Sequence, residues 1–168
     1  RTEKIWSALC GPLAVVRAMP NTPMLLKKGT VAVAFGDAPE RVKSEITGIF
    51  SGCAKVFEVD EEQMDAVTAL SGSGPAYFYR IAEVFAKSAA SLGLDYETAV
   101  RMAASTMAGA AEMLEKSGST PAELIKAVSS PGGTTLAALA AFDAAGLDGA
   151  LYEGLRAAEK RSRELGKR

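Results

Sequence analysis

Residues 55–62 read Lys55-Val56-Phe57-Glu58-Val59-Asp60-Glu61-Glu62, and the chain changes character across them. Up to Val59 the residues alternate as in a strand. The acidic run that follows suits the start of a helix, where carboxylates face the positive end of the dipole. The strand signals all lie before this point, with one helix among them, and only helical signals follow it.

Moving back toward the N-terminus, two further strands are expected. Leu13-Ala14-Val15-Val16-Arg17-Ala18-Met19 is apolar and stopped by Pro20-Asn21-Thr22-Pro23; it is read as a parallel-type strand. Thr30-Val31-Ala32-Val33-Ala34-Phe35 is rich in β-branched residues and stopped by Gly36-Asp37. Pro39 to Phe50 reads as a helix, with Val42, Ile46, Ile49 and Phe50 at helical spacing. The order is therefore β-β-α-β, too little sheet to stand comfortably alone.

Moving forward, helices follow one another. Glu61 to Leu70 leads into Ser71-Gly72-Ser73-Gly74-Pro75, which interrupts or bends the path. Ala76 to Leu92 resumes, with Ile81, Val84, Phe85 and Ala89 at core spacing, and ends at Gly93 as a glycine C-cap. Asp95 caps Tyr96 to Lys116, and Thr120-Pro121-Ala122-Glu123 has the capping-box pattern for a short helix to Val128. Helices over Thr135 to Ala145 and Leu147 to Leu165 complete the chain. The run Ala103-Ala104-Ser105-Thr106-Met107-Ala108-Gly109-Ala110-Ala111 permits close approach of another helix, from this chain or a second copy.

Composition narrows the chemistry. The 168 residues are 48% apolar, enough for a real core, and the net charge of −1 gives no reason to expect nucleic acid or an anionic membrane. Cys10 and Cys53 are far apart with no C-x-x-C spacing, which fits reduced thiols in a cytoplasmic protein, though the two could pair. The sequence contains no histidine. That removes the usual general base, the triads built on it and the commonest zinc ligand. Hydroxyls, carboxylates, lysines, backbone groups or a cofactor must do any chemistry.

Several local features have two readings. Ser129-Ser130-Pro131-Gly132-Gly133-Thr134-Thr135 joins two helices and reads first as a capped turn. It also offers free N–H groups at a helix start, close backbone approach at the glycines and uncharged hydroxyls, a seat for a small carboxylate. Gly72-Ser73-Gly74 lacks the third glycine of a dinucleotide turn, carries Pro75 inside it and follows a helix rather than a strand. It reads as a kink, or as a close backbone approach to a ligand. Asn21 stands at a strand end, where α/β sheets bind ligands, and within an Asn-Thr-Pro turn. Asp60, Glu61, Glu62 and Asp65 resemble metal ligands but are expected at a helix start. Lys27-Lys28 reads as a solvated turn, and Trp6 and the tyrosines are too scattered to stack bases.

Three motifs occur together and in order: Arg17-Ala18-Met19-Pro20-Asn21-Thr22-Pro23, Leu70-Ser71-Gly72-Ser73-Gly74-Pro75-Ala76-Tyr77 and Val128-Ser129-Ser130-Pro131-Gly132-Gly133-Thr134-Thr135. In this combination the chain resembles pyrroline-5-carboxylate reductase from about Leu13 to Leu165. The resemblance implies a mainly α chain. A C-terminal all-helical dimerisation and substrate-binding domain, residues 60–168, follows a residual β-β-α-β piece of a Rossmann-like NAD(P)-binding domain, residues 1–59.

It further implies NADPH- or NADH-dependent reduction of 1-pyrroline-5-carboxylate to L-proline, no metal, and a homodimer open to higher assembly. Ser130, Gly132, Gly133 and Thr134 would bind the substrate carboxylate, and Thr135 the ring nitrogen. Met19, Pro20 and Asn21 would lie beside the nicotinamide, with Ser73 and Gly74 shaping the site. The sequence departs from the family in one respect. No G-x-G-x-x-G follows a strand, and a whole dinucleotide domain needs on the order of 100 residues. With Arg1 as first residue, a C-terminal portion with poor activity of its own is expected. The alternative is a non-enzymatic helical dimerisation module.

Overall fold

The structure, a computed structural model, describes residues 14–166. Its elements are β1 (Arg17–Pro20), a 3-10 turn (Thr22–Leu26), β2 (Gly29–Ala34), α1 (Glu40–Ser51) and β3 (Ala54–Glu58). A second 3-10 turn (Glu61–Gln63) leads into α2 (Met64–Val67), a π-helical turn (Thr68–Gly72) and α3 (Gly74–Ser91). Then come α4 (Tyr96–Lys116), α5 (Pro121–Ala127), α6 (Thr134–Ala144) and α7 (Leu147–Gly166). The described chain forms two compact units, residues 14–77 with 152–166, and residues 78–151.

The first unit is built on a sheet of order β1-β2-β3. β2 and β3 are parallel, joined through α1. The strand ending at Met19-Pro20 is not of the parallel type expected: β1 pairs antiparallel with β2, with Met19 opposite Ala32 and Pro20 opposite Val31. The reason is chain length. Residues 21–28 are fewer than the dozen or so a parallel crossover requires. They reverse direction through the 3-10 turn, with Lys27 in the left-handed region at φ 58°. β1 is also shorter than its apolar run. Leu13 lies outside the described residues, and 14–16 precede the strand, although Val16 still packs on the core.

Alternation along β2 explains both faces. Val31, Val33 and Phe35 point toward α1 and meet Val42, Ile46, Phe50 and Val56. Ala32 and Ala34 point the other way, where Met64 of α2 fills the space with Met19, Val59 and Val67. Ile49, expected on the apolar stripe of α1, is exposed; it lies at the stripe's edge, away from the sheet. Small residues on one face of β2 thus admit a thin helical segment, and larger ones on the other support a full helix.

Gly29 sets where β2 begins. A Cβ there would lie 2.5 Å from Met24 Cβ and 2.8 Å from Met24 Cα, so the 3-10 turn itself would have to move. The Gly29 N–H also donates to the Cys53 carbonyl, 3.1 Å. Gly29→Ala is expected to cost about 2 kcal/mol as an overpacking change. A lowered urea midpoint with an unchanged slope is the expected result, and an unshifted midpoint would show that the turn yields freely.

In the second unit the helix boundaries follow local signals. The Asp95 carboxylate accepts from the Thr98 N–H, 2.9 Å. Gly93 takes the positive φ of a C-cap. At α5 the capping box closes: Thr120 N–H donates to Glu123 Oε2 at 2.7 Å, and Glu123 N–H to Thr120 Oγ1 at 3.3 Å. Side-chain burial departs from expectation. Val84 and Phe85, at core spacing on α3, are both about half exposed, although Phe85 stacks on Phe142 at 6.3 Å between ring centroids. Most of the small-residue run 103–111 is exposed too.

The Thr120 N–H holds the Glu123 carboxyl below the ordinary carboxylate range. A folded value lying under the unfolded one means the box stabilises α5 above the ordinary range and is lost as pH falls through the lowered value. The Thr120 amide resonance is expected to titrate below the ordinary glutamate range. In Glu123→Gln, which keeps an acceptor, that step is expected to vanish.

Candidate functional site

The residues singled out in the sequence fall into two clusters, one in each unit. The first joins the end of β1 to the π-helical turn. Asn21 Nδ2 donates to the Ser71 carbonyl at 3.1 Å, and Asn21 Oδ1 accepts from the Thr30 N–H at 2.8 Å. These two partners fix which end of the carboxamide is oxygen. Met19 closes the same junction: a Cβ on Gly72 would lie 2.5 Å from Met19 Cε, so Gly72 leaves room for that side chain. Pro20 is exposed beside it, Ser73 half-buried and Gly74 buried.

The expected break at Ser71-Gly72-Ser73-Gly74-Pro75 is a π turn rather than a loop. Ser73 N–H donates to the Thr68 carbonyl, 2.9 Å, five residues back. Thr68 Oγ1 and Ser71 Oγ donate to the carbonyls of Met64 and Val67, at 2.7 and 3.1 Å. Such hydroxyl back-bonding bends a helix, and π turns recur at functional sites. Two of the nearby acidic residues are engaged by other side chains. Glu61 Oε1 pairs with Arg17 Nη1 at 2.7 Å, and Asp65 Oδ1 accepts from Ser162 Oγ at 2.7 Å. Among the described residues no group of three His, Cys, Asp or Glu is placed to hold a metal. Cys53 is a free thiol, and Cys10 and Trp6 lie outside the described residues.

The second cluster is the loop between α5 and α6. Ser130 carbonyl accepts from the Gly133 N–H, 2.9 Å, with Pro131 and Gly132 between them and Gly132 at φ 70°. Proline followed by a left-handed glycine has the makings of a type II turn. Ser129 Oγ donates to the Ile125 carbonyl, 2.7 Å, and is thereby spent on α5. Ser130 is not: its side chain lies so close to Gly133 that a Cβ there would meet Ser130 Oγ at 2.5 Å. α6 then starts with Gly133 as N-cap and no side-chain cap. The first N–H groups of the helix stay open, the dipole favours an anion, and the hydroxyls of exposed Thr134 and half-exposed Thr135 stand in that first turn. The loop can therefore bind a small carboxylate with neutral donors.

Residues 61–165 match the family model for pyrroline-5-carboxylate reductase dimerisation. The chain belongs to the pyrroline-5-carboxylate reductase family. The reductase of Corynebacterium melassecola is 43% identical over 156 residues, covering 92% of this chain and 58% of that protein. That of Pseudomonas aeruginosa is 42% identical over 156 residues, covering 92% and 57%. Among solved structures, Plasmodium falciparum pyrroline carboxylate reductase with NADP bound has a TM-score of 0.89 at 28% identity, covering 98% of this chain and 66% of that one. A pyrroline-5-carboxylate reductase from Coxiella burnetii has a TM-score of 0.87 at 35% identity, covering 90% and 57%.

The chain thus spans about 58% of the length of the curated reductase it matches in Corynebacterium. Two of the three motifs fall within the reductase dimerisation match, and Arg17 to Pro23 precedes it. No helix among the described residues is long and apolar enough to cross a membrane. The bond from Asn21 to Ser71 is the feature of this junction that sequence reading missed. Its signal was Pro75, which has no N–H for the carbonyl four residues before it.

Proposed function

We propose that the chain is the substrate-binding and dimer-forming portion of a pyrroline-5-carboxylate reductase, which converts 1-pyrroline-5-carboxylate to L-proline with NADPH or NADH. The observation that carries this is the Ser130 to Thr135 loop, with its open helix N-terminus and uncharged donors, in a chain of this family. In the proposal, residues 1–59 are the end of the dinucleotide domain and residues 60–168 the helical domain, working in the cytoplasm as a homodimer or an assembly of dimers. Half-exposed Val84, Phe85 and the small residues of α4 support association with a second copy. The well-spaced cysteines support a reducing compartment.

Only the nicotinamide end of a dinucleotide has a fit among these residues. Met19 and Pro20 offer an apolar edge at the end of β1, but no strand of the sequence is followed by a glycine-rich phosphate turn. Nicotinamide supplies the hydride for the C=N bond when bound. The protein's share is orientation and charge. The open N–H of Thr134, with Ser130 Oγ, holds the carboxylate, Gly133 leaves the space that Ser130 Oγ occupies, and the left-handed Gly132 lets the carboxylate approach the backbone. Thr135 Oγ1 hydrogen-bonds the ring nitrogen and sets the face of the ring. A threonine hydroxyl is too weak an acid to protonate an imine nitrogen outright, so it passes a proton from water or keeps an already protonated imine in place. Ser73 and Gly74, at the end of the π turn, keep the site-shaping role that the resemblance gives them.

Titrating the purified chain with L-proline and following amide resonances tests the reading. Shifts confined to residues 130–135 are expected. An absence of shifts at every concentration that leaves the fold intact overturns the loop assignment. A chimera carrying the remaining N-terminal part of the Corynebacterium reductase ahead of this chain tests the activity. Folded, dimeric chimera without NADPH-dependent turnover would favour the non-enzymatic module.

A further inference from the structure

We infer that Asn21 is a positioning residue, which holds the π-helical turn Thr68–Gly72 against the end of β1 by supplying the donor that Pro75 withholds from Ser71. In a continuing helix the Ser71 carbonyl would accept from residue 75. Residue 75 is proline and has no N–H. The next amide, Ala76 N–H, donates to the Ser73 carbonyl instead, 3.0 Å. A part-buried carbonyl is thus left without a helical partner, and such a group is costly unless another donor reaches it. Asn21 Nδ2 reaches it at 3.1 Å.

The carboxamide is itself held. The Thr30 N–H donates to Oδ1 at 2.8 Å, so the first residues of β2 aim Nδ2 at the turn. Met19 Cε occupies the space that a side chain at residue 72 would take. Hydrogen bonding and packing therefore lock one junction from both sides, and Ser73 and Gly74 follow directly from it. With its side chain donating to Ser71 and accepting from Thr30, Asn21 acts on ligand through the turn it holds. This deepens the site proposed above and rests on it for the functional consequence alone.

Amide hydrogen exchange of the full chain tests the lock. In Asn21→Ala the Ser73 N–H, bonded to the Thr68 carbonyl, is expected to exchange about tenfold faster, as for loss of one hydrogen bond to a part-buried group. Adding Pro75→Ala returns a donor at residue 75 and is expected to restore the slow exchange. Asn21→Asp keeps the acceptor for Thr30 and removes the donor for Ser71, so it should speed Ser73 while leaving the Thr30 amide protected. It decides the matter if Asn21→Ala does not fold. Unchanged exchange at Ser73, or no recovery on adding Pro75→Ala, overturns the inference.

The same variants in the chimera carry the readout that packing alone would not move. kcat is expected to fall about tenfold in Asn21→Ala and to recover with Pro75→Ala, while the proline-induced shifts at residues 130–135 stay as in the unaltered chain. A kcat equal to the unaltered chimera's overturns the positioning role. A chimera with Asn21 intact and no turnover counts against the proposed activity and leaves the exchange result to stand by itself.

Discussion

Met64→Ala is expected to lower the stability of the α/β unit by about 3 kcal/mol, within the range of large-to-small changes at fully buried positions. Met64 is completely buried and is among the largest fully buried side chains of the described residues. It rests on Ala32 and Ala34, whose methyl groups give β2 no depth on that face, and is ringed by Met19, Val59 and Val67. Short α2 cannot sink further to close the gap, because the hydrogen bonds of the π turn tie its C-terminal end. The lost methylene, sulfur and methyl would therefore leave a cavity. Urea unfolding of the two proteins measures the difference. Met64→Leu, close to it in volume, should cost under about 1.5 kcal/mol. A loss below about 1 kcal/mol for Met64→Ala would mean that the unit closes over the hole, contrary to this packing.

Thr135→Ala in the chimera is expected to lower kcat/KM about a hundredfold, roughly 2.7 kcal/mol, as for removal of one donor aimed at the reacting group. Dimer stability should be unaffected, because Thr135 is half-exposed in the first turn of α6 and caps nothing. Thr135→Ser keeps the hydroxyl and should retain most of the turnover. Proline binding should weaken far less than turnover does, because in the proposed arrangement Ser130 and Thr134, not Thr135, hold the carboxylate. Full activity in Thr135→Ala would remove this residue from the mechanism. An equal loss in Thr135→Ser would point to the methyl group and its packing rather than to the hydroxyl.

The parts of this architecture that were readable in advance are those decided by neighbours in the chain. Caps at Asp95 and Thr120, the glycine stop at Gly93 and the β-β-α-β order need only local hydrogen bonding and side-chain period. The antiparallel sense of β1 was readable in principle from the short connection to β2 and was missed because a strand's own residues carry no direction. The π turn was visible only as a disturbance around Ser71 to Pro75. Its true form depends on which donors arrive from elsewhere, and Asn21 arrives from fifty residues away. Ile49, Val84 and Phe85 show the complementary limit. Helical spacing marks an apolar stripe, yet burial depends on what covers it.

By itself the sequence determined the division into a short α/β piece and a helical array, the ends of most helices, and the three motifs that mark the family. It did so because caps, turns and periodicity act over a few residues, where identity and spacing suffice. Tertiary structure decided the burial of Met64 against the small face of β2 and the engagement of Asn21 with Ser71 and Thr30. Those depend on groups distant in sequence satisfying one another's volume and hydrogen bonds. In the loop from Ser129 to Thr135 both levels meet: residue types prescribe the turn, and the folded geometry leaves Ser130 beside an open helix end while Ser129 is tied back to α5.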